Sequence, residues 1–110
     1  MGNPYLVYMT MASMEEAERI GDTLVRERCA ACVNILGEVQ SMFWWEATVQ
    51  SEREVAMTAK TSAGQLDSLI ARVHELHSYD CPCVVALPIV HGHAPFLQWV
   101  ESEARGLEES

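Results

Sequence analysis

An α+β sandwich is the fold class this sequence predicts, and three observations point to it. Apolar segments with β-strand character interleave with two segments whose apolar residues recur every three to four positions. Both helical segments open on a Ser-x-x-Glu/Gln pattern, at Ser13–Glu16 and Ser62–Gln65, the pattern of a capped helix start. The order along the chain is βαββαβ with one further short helix at the end. That order is the ferredoxin-like split βαβ arrangement, in which two helices cover one face of a four-stranded antiparallel sheet. A chain of 110 residues fits one domain, 1–110, with its core from about residue 5 to about 105.

Each element has its own justification. Tyr5 to Met11 is apolar and β-prone, a first strand. After the Ser13 cap, Ala17, Ile20 and Leu24 form an apolar stripe on a helix expected to end near Arg28. Cys32 to Trp45 is extended: Val39, Ser41, Phe43 and Trp45 alternate with Gln40, Met42 and Trp44, and Gly37 suggests a bulge or bend. Glu46 to Glu52 reads as a polar connection, and Glu54 to Thr61 returns as a third strand with Val55, Met57 and Ala59 on one face. Leu66, Leu69, Ile70, Val73 and Leu76 line a second helix. Val84 to Val90 is the fourth strand, and Pro88 within it demands an edge position or a break. Phe96, Leu97, Val100 and Ala104 mark the final helix, and Gly106–Ser110 reads as frayed.

One helical layer leaves the other sheet face bare. That face carries Phe43 and Trp45, or Trp44, according to register, which exceeds the apolar patch a monomer tolerates. Self-association follows from the pattern.

Charge and composition exclude several function classes. With a net charge of −9 and seven Lys and Arg together, the chain is a poor match for nucleic acid or for an anionic membrane surface. The longest apolar run, Val84–Val90, is far short of the roughly 20 residues a spanning helix needs. The opening "MGNPYLVYMT" has no basic region or small-residue cleavage site, so a cytoplasmic address is expected. In a reducing compartment the four cysteines are free thiols or metal ligands. No G-x-S-x-G elbow, H-E-x-x-H or phosphate-cradling glycine loop occurs, and Cys83 with His77 lacks a third orienting group. The chain is therefore read as a binding protein and not an enzyme.

The thiols fall into two pairs. Cys29 and Cys32 span a helix end and a strand start, where cysteine serves as a small apolar filler. The second and fourth strands run antiparallel, so Cys32 and Cys83 start at opposite ends of the sheet and no four-thiolate site forms. In "HSYDCPC", alternation places Cys81 and Cys83 on one face of the fourth strand's start, with His77 and Asp80 before them. His77, Cys81 and Cys83 are the candidate ligands for copper or another soft or divalent metal ion. The alternative for the thiols is inert packing or an interface, and for His77 a cap on its helix. His91 and His93 form a smaller histidine group in a turn.

The stretches "MTMASMEEAERIGDTLVRERCAACVNIL", "SMFWWE", "AKT", "HSYDCP", "ALPIVHG" and "FLQWVESE", in this order and spacing, resemble the CutA family, the divalent-cation tolerance proteins, from about Tyr5 to Arg105. The resemblance implies a homotrimer with sheets packed edge to edge, metal-ion binding of the copper type and a role in metal tolerance. It also implies an inter-subunit cleft holding Thr10, Trp45, Glu46, Lys60 and Tyr79, where the lone lysine would hold a small anion in a PII-like signalling trimer. A structural or adaptor trimer is a further alternative. Copper-binding relatives take ligands from a first-strand cysteine and a histidine pair; those positions here are Met9 and Leu76–His77. The family's glycine after Trp-Glu is Ala47.

Overall fold

A computed structural model describes residues 2–107; part of the expected frayed end, residues 108–110, lies outside them. The elements are β1 (Tyr5–Met11), α1 (Met14–Arg26), β2 (Cys32–Trp45), β3 (Thr48–Thr61), α2 (Leu66–Leu76), β4 (Val84–Pro88) and α3 (Ala94–Glu103). The four strands form one antiparallel sheet in the order β2-β3-β1-β4, the ferredoxin-like arrangement.

The core follows from two periodicities meeting. Val7, Met9 and Met11 of β1 pair with Ala59, Met57 and Val55 of β3 and point to one face. Against them pack Ala17, Ile20 and Leu24 of α1 and Leu69 and Val73 of α2, all buried in a single cluster. Burying each larger side chain contributes about 1.5–3 kcal/mol. Met9 is fully buried here, so it is part of the core and out of reach of any ion. Cys29 belongs to the same cluster, and burial raises its thiol above the usual range.

The two cap patterns resolve differently. Ser13 Oγ accepts the Glu16 amide at 3.1 Å, but the Glu16 side chain turns inward instead of reaching back to the cap. Ser62 does not cap with its side chain; its hydroxyl donates to the Ala104 carbonyl at 2.7 Å and fixes the end of α3. That helix docks through Val100 and Ala104 onto Ala31, aided by an Arg28–Glu103 ion pair at 3.1 Å. α1 stops at Arg26, two residues before the expected end, because Arg28 takes the left-handed conformation (φ 59°) and the Cys29 amide turns back to the Leu24 carbonyl. Arg72 of α2 grips Glu27 with two bonds of 2.9 Å, and that guanidinium holds the carboxyl below its usual range.

The largest departure is the β2–β3 hairpin. The expected polar connection from Glu46 to Glu52 is mostly strand, since β3 begins at Thr48 and only Glu46 and Ala47 turn. Both have positive φ (50° and 63°), the two-residue turn that matches the twist of paired strands. β1 ends opposite Val55, so the hairpin beyond that point stands out from the sheet as a two-stranded arm.

Gly37 sits at the bulge, with φ 116°. Ile35 pairs with Met57 and Gly37 with Ala56, which leaves Leu36 as the extra residue. A one-residue insertion switches every later side chain to the opposite face. Val33 and Ile35 therefore share the helix side, while Val39, Ser41, Phe43 and Trp45 emerge on the open side. Val85 and Leu87 of the edge strand β4 also lie on that open face and are about half exposed. Pro88 ends β4, where its missing donor costs no ladder bond.

Candidate functional site

Below the arm, β1, the hairpin and the segment entering β4 enclose a cleft of about 810 Å³. Its floor is Thr10, near the end of β1. One wall is the open side of the arm, including Phe43, Trp45, Glu52 and Glu54; the other is the 78–83 loop, with Tyr79, Asp80, Cys81 and Cys83. The lining holds three carboxylates and no lysine or arginine. Its electrostatics show at Tyr79: burial first, then the Glu54 carboxylate beside its hydroxyl, push the phenol above its usual range, with Glu52 and Glu16 adding to it.

The loop is held against β1 by His77. This ring is buried, and Nε2 lies 2.7 Å from the Thr10 carbonyl, which can only accept; Nε2 therefore carries the proton. Nδ1 accepts the Tyr79 amide at 3.0 Å. The imidazole is thus neutral with both nitrogens engaged, and it stacks at a tilt on Tyr79, with centroids 4.8 Å apart. Glu16 Oε1 lies 3.6 Å from Nδ1, too far for a hydrogen bond, and is buried without a hydrogen-bond partner among the described residues. The ligand expectation for His77 is corrected on this geometry: neither ring nitrogen has a free lone pair for an ion.

Cys81 and Cys83 are exposed free thiols that both line the cleft. The strand begins at Val84, so they sit in the loop and not on the start of β4 as expected. The Cys83 carbonyl still meets the Thr10 amide at 3.4 Å, tying the loop to β1. Cys32, opposite Lys60 and so level with Leu6 across β3, lies at the other end of the sheet from Cys83. Among the described residues, no group of three or more His, Cys, Asp or Glu is close enough to hold an ion. His91 and His93 are exposed and belong to no such group.

Of the five expected cleft residues, Thr10, Trp45 and Tyr79 come together. Glu46 is in the turn and outside the lining. Lys60 faces the same open side, but four residues along from Ala56, the partner of Thr10, or about 13 Å. Its ammonium donates to Asn34 Oδ1 at 2.7 Å. Sequence patterning alone does not single out Glu52 and Glu54, because they fall in or beside the expected polar connection. Continuing the period-two alternation of β3 back to Thr48 places Gln50, Glu52 and Glu54 on one face, and that was the available signal.

The fold and cleft define a ferredoxin-like α+β protein with a thiol-bearing, acidic cleft beside an exposed sheet face. The family model described as CutA1 divalent ion tolerance protein matches residues 5–103. The Divalent-cation tolerance protein CutA of Archaeoglobus fulgidus is 41% identical over 95 residues, covering 86% of this chain and 92% of that protein. The chloroplastic Protein CutA 1 of Oryza sativa is 38% identical over 100 residues; the alignment takes in 91% of this chain but only 56% of the rice protein's length. The solved structure of the periplasmic divalent cation tolerance protein CutA from Archaeoglobus fulgidus superposes with a TM-score of 0.89 at 38% identity, covering 93% of this chain and 99% of that one. The chain belongs to the CutA1 divalent ion tolerance family.

Proposed function

We propose that this protein is a homotrimeric metal-ion binder acting in divalent-cation tolerance, and that Cys81 and Cys83 supply thiolates to a soft ion of the copper type. The observation that carries the reading is the pair of exposed free thiols at a cleft lined by carboxylates and no cationic side chain. Two thiolates suit a soft ion such as Cu(I), and the surrounding negative charge raises the local cation concentration. His77 belongs to the scaffold in this reading. A reducing cytoplasm suits four free cysteines. The relatives' names, chloroplastic in one case and periplasmic in another, belong to those proteins.

The trimer is supported by the exposed apolar surface: Val85 and Leu87 on the open face, and Met42, Trp44 and Val49 on the arm. A two-stranded arm standing alone is only marginally stable, so a partner surface is required to hold it. The anion reading is less favoured, since the carboxylates repel an anion and Lys60 is engaged elsewhere.

The test is Cu(I) transfer from a coloured chelator to reduced protein, compared with the Cys81→Ser/Cys83→Ser variant. The reading expects loss of bound copper in the variant. Equal copper binding in both proteins contradicts it.

A further inference from the structure

We propose that Glu16 and His77 form a proton-operated latch: a proton taken up at His77 Nδ1 moves the ring's bond from the Tyr79 amide to the Glu16 carboxylate and loosens the 78–83 loop. Both side chains belong to one chain and are buried within it, so the device does not depend on which surface a partner copy covers.

The starting observation is an unsatisfied carboxylate. The Glu16 side chain is 9% exposed, and its Oε1 has no hydrogen-bond partner among the described residues. Leaving a buried carboxylate oxygen unbonded is costly. His77 Nδ1 is 3.6 Å from it, on a side chain that is fully buried. In the neutral ring Nδ1 carries a lone pair, which has nothing to give Oε1 and accepts the Tyr79 amide at 3.0 Å.

Protonation exchanges these contacts. An imidazolium donates from both nitrogens and accepts at neither. Nδ1–H closes on Oε1 as a charge-assisted bond, and the Tyr79 N–H loses its acceptor and turns to water. The bond to the Thr10 carbonyl survives, because Nε2 donates in both states. The loop is then left with the Cys83 carbonyl on the Thr10 amide at 3.4 Å and the Asp80 carbonyl on His74 Nε2 at 3.3 Å. His74 donates there in either charge state, so its own titration does not open the loop.

Facing the ring are Glu16 and Arg19 from α1, the Thr10 carbonyl from β1, and Tyr79 from the loop with Glu54 of β3 beside it. His74 and Glu75 in the last turn of α2 are exposed. Arg19, which donates to the Leu76 carbonyl at 3.3 Å, is exposed and screened by water. Glu54 is engaged with Tyr79, and Glu16 is the carboxylate that lies against Nδ1. In the copper reading the loop carries both thiols, so acid weakens the hold on the ion. That consequence rests on the copper reading; the latch itself does not.

The test is nuclear magnetic resonance on reduced, metal-free, nitrogen-15-labelled protein between about pH 8 and pH 5, the span in which imidazoles titrate. The His77 ring should pass from one protonated nitrogen to two. Over the same span the protection of the Tyr79 amide from hydrogen exchange, taken against the unfolded rate at each pH, should fall about tenfold or more. Glu16→Met, similar in length but without charge or acceptor, should keep Tyr79 protected throughout. Glu15→Gln, at an exposed position on the same helix, should behave as the parent does. A ring that stays neutral to pH 5, an amide that does not follow the ring, or equal behaviour of the Glu16 and Glu15 variants overturns the proposal. Should Glu16→Met not fold, the parent's ring and amide titrations decide alone. Cys81→Ser/Cys83→Ser separates the two readings: it should lose copper and keep the response of Tyr79 to pH.

Discussion

The imidazole of His77 joins two segments that no regular secondary structure connects. It donates to the Thr10 carbonyl and accepts the Tyr79 amide, so both backbone groups lose their partner when the ring is removed. His77→Ala also leaves a void next to Tyr79. Together these predict a loss of about 2–4 kcal/mol in stability, read by urea unfolding. A loss under about 1 kcal/mol would mean the ring is not the tie. Tyr79 itself reports the field of the cleft. Its phenol is raised by burial and then by Glu54, so the neutral form is favoured in the fold. That contribution is intact below the unfolded phenol value, about 10, and is lost as pH rises through the higher folded value. Glu54→Gln should bring this titration down, as followed by ultraviolet absorbance in alkali; an unchanged titration would remove Glu54 from the account.

At the scale of elements, the hairpin arm decides what the cleft contains. Its turn places Ala47 at φ 63°, where a side chain crowds the backbone. Ala47→Gly should therefore stabilise the protein by about 0.5–1 kcal/mol, after allowing for glycine's greater freedom when unfolded. Thermal unfolding measures it, and a lower melting temperature contradicts it. The same turn explains what was hidden in the sequence. Glu46-Ala47 lacks the Asn-Gly or Asp-Gly signal of a tight hairpin, so the polar run up to Glu52 reads as a loop. By contrast, β1 and β2 were legible to the residue, because apolar patterning and Gly37 act locally. The helix stripes were legible for the same reason, Leu69 and Val73 being fully buried as expected, although Ile70, placed on the same stripe, is exposed. The site was half legible. Thr10, Trp45, Tyr79 and the two thiols do meet, but Lys60 does not join them, since its place along β3 depends on strand register. The role of His77 depends on which backbone groups tertiary packing brings to its ring, and spacing in the chain carries no record of that.

Across the whole molecule, two surface properties pull against each other. Each chain carries a net charge of −9, which disfavours close approach of copies. Against this, the open sheet face and the arm expose Val85, Leu87, Met42 and Trp44, surface that water covers unfavourably. The apolar contact has to outweigh the repulsion, and salt, by screening it, should strengthen the assembly. On the proposed reading, cations bound in the cleft act in the same direction by neutralising its carboxylates. In the proposed reading, assembly and cation binding are two consequences of one surface. Native mass spectrometry of the reduced protein, with and without added Cu(I), tests both at once. The account predicts a particle of three 12.3 kDa chains that takes up copper. A particle of one chain, or a trimer that takes up none, would contradict it.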